Sequence, residues 1–220
     1  MARSALSLLL SPCGSDLPWG RMPIVKRYIK GVFEQKPVLP KVYTIWDVRD
    51  VFDYIRSLPT PQELTLKVLS HNLALLLGLL SGGQRCQTIH QIQVPDISIA
   101  NGLVSIPVME KIKQTRPGKH MEPLRFRPYV QNDRLCYVTL LSVYLDVTKV
   151  HRTSPRLFLS YVRPHSAVGK DTIARWCKCV LRDAGIDIER FSSHSSRAAA
   201  SSRAKSKGMA LDKIIAFAGW

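Results

Sequence analysis

His194-Ser195-Ser196-Arg197 begins an alanine-rich stretch that runs through Ala198-Ala199-Ala200 and on to Ala218-Gly219-Trp220, where the chain stops. Read as a helix, it places His194 and Arg197 three residues apart, so imidazole and guanidinium share a face about one turn apart. An imidazole and a forked cation on one wall suit a phosphate under nucleophilic attack. Upstream, Asp171 to Ala184 reads as a helix with an apolar stripe of Ile173, Trp176, Val180 and Leu181 and a left-handed stop at Gly185. Its remaining faces carry Arg175, Lys178 and Arg182, a set able to follow a phosphate backbone, though each alone also reads as part of a solvated face.

Composition names the partner class. Thirty-two Lys and Arg against sixteen Asp and Glu leave a net charge of +16, which concentrates polyanions at the surface and puts nucleic acid first among partners. With 45% hydrophobic and 22% charged residues, this is not a disordered basic tail, and 220 residues suffice for one well-buried domain and a smaller piece. A generic RNA-binding protein shares that charge. The five cysteines are odd in number, scattered and never paired as Cys-x-x-Cys, against both a disulfide framework and a zinc site. No stretch reaches the roughly eighteen apolar residues of a membrane span, and Leu73 to Leu80 reads as a core helix. Arg3 and the short apolar run Ala5 to Leu10 only outline a secretory signal.

The elements expected along the chain are mainly helical. Residues 1–40 hold Pro12, Pro18, Pro23, Pro37 and Pro40 around the basic segment Ile24 to Gly31, and read as a linker with one helix. From Thr44, Ile45, Val48, Phe52 and Ile55 recur at helical spacing. Thr60-Pro61-Gln62-Glu63 has capping-box form with proline at the first helical position, opening a leucine-rich helix that ends at Ser81-Gly82-Gly83. Asp96 to Ile106 reads as a hairpin turning at Asn101-Gly102. A basic connection, Lys111 to Lys119, then leads to a third strand around Leu124 to Phe126. Further helices are expected from Leu135 to Lys149, from His194 to Lys207, and a last one with Leu211, Ile214, Ile215 and Ala218 on one face. The fold class is mainly α with a small three-stranded antiparallel sheet.

Single candidates have ordinary explanations: Arg85 can cap a helix end, Lys113 can be one solvated lysine among many, and Trp220 a core aromatic. Their order is more specific. The leucine-rich helix ending in Gly82-Gly83-Gln84-Arg85-Cys86-Gln87-Thr88-Ile89, the lysine-bearing turn of the small sheet, His194-x-x-Arg197 and Ala218-Gly219-Trp220 together resemble the catalytic domain of tyrosine recombinases, the phage integrase family. Gln84-Arg85-Cys86-Gln87-Thr88 and Lys113-Gln114-Thr115-Arg116-Pro117-Gly118 are similar to forms in the eukaryotic transposon-encoded branch, the DIRS-type and Crypton elements. The resemblance spans Val42 to Trp220. Lys30-Gly31-Val32 and Trp46-Asp47-Val48 look like the segment that joins the core-binding domain to the catalytic one, so residues 1–40 are expected to be linker and core-binding remnant and 41–220 the catalytic domain.

The resemblance implies a division of labour. Arg85 and Arg197 would clamp the non-bridging oxygens of a scissile DNA phosphate, since each fork donates two hydrogen bonds and stays charged. Lys113 would protonate the departing 5′ oxygen, with Lys111 and Lys119 as competitors. His194 would exchange a proton with the nucleophile or donate to the phosphate, and Trp220 would supply its indole N–H. Arg116, Lys119, Arg175, Lys178 and Arg182 would hold double-stranded DNA. No metal and no other cofactor is implied, because the family stores the phosphodiester energy in a phosphotyrosine linkage.

Two departures stand out. Relatives commonly have an acidic residue where this chain has Thr88, and the family's tyrosine nucleophile lies about ten residues beyond the Trp220 position. Without that tyrosine no covalent intermediate forms. The chain is therefore expected to be a monomeric fragment of a site-specific recombinase that self-associates on paired sites only in its full-length parent, or a catalytically dead, transposon-derived DNA-binding remnant. A type IB topoisomerase, which shares the Arg-Lys-Arg-His phosphate site, and an RNA-binding module are the more distant alternatives. A DNA substrate and the eukaryotic look of the motifs imply the nucleus, with Lys26-Arg27 the one hint of an import signal.

Overall fold

A leucine helix buried along most of its length organises the larger of two units. The structure is a computed structural model that describes residues 19–36, 45–109, 122–191 and 195–218. The chain divides into two compact units, Met1–Thr44 and Ile45–Trp220. In the first, helix α1 (Pro23–Gln35) starts with proline in its first turn and buries none of its residues.

The larger unit opens with α2 (Val48–Ser57), which Asp47 caps by accepting from the Arg49 N–H at 2.8 Å. Its buried stripe is Val48, Val51 and Ile55. Ile45, expected on that stripe, precedes the helix and is exposed, and Phe52 is half-buried, so Val51 takes the central place. The capping box at Thr60 is present, with the Glu63 carboxylate accepting from Thr60 N and Oγ1. It closes only a single 3-10 turn, Pro61–Glu63, and does not open the long helix as expected. That helix, α3 (Leu66–Leu80), starts at a separate cap, where Thr65 Oγ1 accepts from Val68 N at 3.4 Å.

Residues 69–79 of α3 are all buried, because the helices Tyr137–Thr148, Lys170–Asp183 and Ser195–Ser206 pack around it. The helix ends where Gly82 and Gly83 take positive φ (75° and 84°) and Gly83 N donates to Gly78 O at 2.8 Å, a Schellman-type stop that turns the chain sharply. A single helical turn, α4 (Cys86–Ile89), follows at once.

Strands β1 (Ser98–Ala100), β2 (Leu103–Ile106) and β3 (Leu124–Phe126) form an antiparallel sheet in that order, with Ile99 opposite Val104 and Val104 opposite Phe126. Asn101 and Gly102, both at positive φ, make the expected hairpin turn. Val104, Ile106, Leu124 and Phe126 point inward, Phe126 onto Tyr137 at 4.3 Å between ring centroids. The basic connection carrying Lys111, Lys113, Arg116 and Lys119 lies outside the described residues.

Helix α5 (Tyr137–Thr148) runs on into a 3-10 turn, Lys149–His151. Helix α6 (Lys170–Asp183) buries Ile173, Trp176, Cys177, Val180 and Leu181 and stops before Gly185 at φ 80°. Helix α7 (Ser195–Ser206) buries only Ser196, Ala199 and Ala200. Helix α8 (Leu211–Ala218) packs on α7 and buries Ile214, while Leu211, expected on its apolar face, is exposed. The result is a mainly helical domain with a small three-stranded antiparallel sheet.

Candidate functional site

The turn after α3 and the start of α7 meet at Gly83. A Cβ built on this glycine falls 2.6 Å from Arg197 Cα and 2.9 Å from its Cγ, so only a residue without a side chain lets the two segments approach this closely. Across that contact, 114 residues apart in sequence, Arg197 Nη1 donates to Gly83 O at 3.2 Å. Two residues further on, Arg85 is the N-cap residue of α4, its carbonyl accepting from the N–H groups of Thr88 and Ile89. Its Nε is buried with no hydrogen-bond partner among the described residues.

Arg85 and Arg197 line one cavity of about 240 Å³ with Gly83, Gln84, Cys86, Gln87, Lys170, Asp171 and Ala174. Burial, and then the neighbouring charge of Arg85, pull the Arg197 guanidinium down to about 10. Two guanidinium groups repelling each other across a partly dry hollow form a site that an anion relieves. The first turn of α6 contributes the ammonium-bearing Lys170 and the carboxylate-bearing Asp171 to the lining. Behind Arg85, the Cys86 thiol is held below its usual range by a hydrogen bond with Cys177 of α6, and the same contact together with burial pushes Cys177 well up.

Among the expected site residues, the structure brings Arg85 and Arg197 together. Lys113, His194 and Trp220 lie outside the described residues, as do Arg116 and Lys119. Ala174, Lys178 and Arg182 are spaced by four on α6, so a stripe runs from the cavity wall through both cations. Arg175 flanks the stripe with Nη2 donating to Thr172 Oγ1 at 3.1 Å, and Arg182 is paired with Asp183 at 3.1 Å. Lys170 and Asp171 were not expected in the site. Their signal in the sequence is slight: a cation and an acid after Gly169 at a helix start, with nothing local to say which way that start faces. Thr88 is buried and is not part of the cavity lining, whose carboxylate is Asp171 of α6.

Among curated proteins none matches the chain. Solved structures of similar fold include the XerH site-specific recombinase bound to difH substrate in a pre-cleavage complex, at a TM-score of 0.61 and 17% identity over 82% of this chain and 48% of that one. The XerA recombinase gives 0.57 at 14% identity over 99% and 65%. The chain thus spans about half the length of XerH and less than two thirds of XerA. At those identities the likeness speaks for the fold. Residues 50–220 match the phage integrase family directly, and with the fold they build, the chain belongs to that family.

Proposed function

We propose that the cavity between Arg85 and Arg197 is the seat of a scissile phosphate in double-stranded DNA, and that the chain is the catalytic part of a site-specific recombinase acting through a phosphotyrosine intermediate. The observation that carries this reading is the convergence of two arginines, from segments far apart in sequence, on one small hollow in a chain of net charge +16. The guanidinium groups grip the two non-bridging oxygens and stabilise the extra negative charge of the pentacoordinate transition state. Asp171 lines the same cavity and supplies a carboxylate there, while position 88 holds a threonine.

Lys113 is proposed as the acid for the departing 5′ oxygen, with His194 and Trp220 as hydrogen-bonding partners of the phosphate. The attacking tyrosine is proposed to follow the Trp220 position. The stripe of Lys178 and Arg182, with Arg175 beside it, tracks the neighbouring backbone. The form of Gln84-Arg85-Cys86-Gln87-Thr88 supports an origin in the transposon-encoded branch, and a DNA substrate in such an element supports the nucleus.

The test is fluorescence anisotropy of a labelled duplex with wild type, Arg85→Ala, Arg197→Ala and Arg197→Lys. Loss of a charged, bidentate contact is expected to weaken binding by about tenfold or more, with lysine restoring only part. Equal binding by all four proteins would remove the phosphate site. A longer chain carrying the tyrosine is expected to yield a covalent protein–DNA adduct that Arg197→Ala abolishes.

A further inference from the structure

Helix α7 carries Arg197, yet little in its own sequence fixes how it is turned. Its buried stripe is Ser196, Ala199 and Ala200, side chains too small to interlock with a neighbour. Residues Ser195 and Arg197 stand about 100° to either side of Ser196 around the helix axis. Each flank is tied to a different part of the molecule. On one, Arg197 Nη1 reaches Gly83 O at 3.2 Å. On the other, the Trp46 indole N–H donates to Ser195 Oγ at 2.8 Å, a bond spanning 149 residues.

Trp46 is itself buried: the residue is 6% exposed and belongs to the main core with Val48 and Val51. The next residue, Asp47, is held low chiefly by Arg49 and, at longer range, by Arg203 of the same helix α7. A rotation of α7 by about 10° carries a side-chain tip at roughly 6 Å from the axis through about 1 Å, and a misplacement of that size costs on the order of a hundredfold in a catalytic step.

We infer that Trp46 is a positioning residue, whose indole N–H sets the rotation of α7 through Ser195 and so aims the Arg197 guanidinium into the cavity. The inference rests on reading Arg197 as a phosphate ligand. Trp46→Phe keeps the ring in the core and removes the donor. Ser195→Ala removes the acceptor at little cost to packing, and Ser195→Thr keeps a hydroxyl.

The readouts are duplex affinity, thermal melting, and labelling of individual arginines by phenylglyoxal with and without duplex, located by peptide mass spectrometry. Trp46→Phe and Ser195→Ala are each expected to weaken binding by about tenfold and to lose protection of Arg197 while Arg85 stays protected. The double variant is expected to be no worse than either single one, and Ser195→Thr to bind as wild type. The inference is overturned if both single variants bind and protect Arg197 normally, or if Arg85 loses protection in parallel, which marks a general loss of structure. If Arg197→Ala itself binds duplex as wild type does, the phosphate reading fails first and takes this inference with it.

Discussion

Helices α3 and α7 are neighbours in the larger unit and are specified in opposite ways. In α3 every residue from 69 to 79 is buried, and large leucines place the helix by volume and apolar area. In α7 the contact face is alanine and serine, and its position rests on a glycine that admits its backbone and on hydrogen bonds at its flanks. The first helix can lose one contact and stay where it is. The second is expected to lose its orientation when a single polar atom is removed, and it is the one that carries Arg197. If Arg197 is the phosphate ligand proposed above, stability and chemistry reside in different places within one core.

The comparison is most sharply tested by removing a large side chain from α3. Leu76 is fully buried, and Leu76→Ala is expected to cost about 4 kcal/mol through lost transfer energy and a residual cavity. Measured by denaturant unfolding, it should lower the midpoint without changing the slope, and duplex affinity of the folded protein should be nearly intact. A large loss of affinity in protein still shown to be folded would mean that α3 and the cavity between Arg85 and Arg197 are not separable.

Next in size is a pH effect within α3. His71 packs against Trp176 and Tyr161 at 5.4 and 5.5 Å, and its Nε2 is buried without a partner among the described residues. Burial first, and then Lys67, lower its pKa from 6.5 to about 4, against a weaker opposing pull from Asp183. As pH falls through 6.5 the unfolded chain takes up a proton that the folded chain refuses until about 4, so stability drops across that window and levels off below it. The loss is expected to be about 3 kcal/mol. His71→Phe should flatten the difference between pH 7.5 and pH 4 in chemical unfolding. An unchanged difference in the variant would assign the acid sensitivity to other groups.

The two helices also explain how far the sequence could be read. Leucine spacing, the Asn101-Gly102 turn, the glycine stop at Gly185 and the short third strand are local signals, and local physics determines them. The sequence pattern puts the start of α3 at the box of Thr60, whereas Thr65 caps the helix and the box closes a separate 3-10 turn that packs on α5. That Arg85 and Arg197 meet in one cavity agrees with the motif order. Lys170 and Asp171 were not legible, since their membership in the cavity depends on how α6 crosses α4, which no pattern within α6 records. The bond from Trp46 to Ser195 is a long-range pairing of the same kind.

On the α7 side, Gly83→Ala attacks the close approach directly. The added methyl meets the Arg197 backbone, and alanine resists a φ of 84°, so about 2 kcal/mol of destabilisation is expected together with loss of duplex binding. Against Leu76→Ala the signature is inverted: a smaller fall in stability and a larger fall in affinity. If Gly83→Ala binds duplex normally, the approach of the two segments is a packing detail and not a condition of the site.

The smallest expected effect lies on the surface, where neither helix governs. Lys178 sits one turn past the cavity-lining Ala174 on α6, half-exposed, and it takes no part in the core to which Trp176 and Cys177 belong. Lys178→Ala should leave the melting temperature where it is. If Lys178 neutralises one backbone phosphate, the slope of log affinity against log salt should shrink by about 0.9, with affinity reduced alike for every duplex sequence. Sequence-dependent loss would instead place Lys178 at a base edge. No change in slope would confine the DNA path to the cavity, leaving the cations further along α6 as a solvated face.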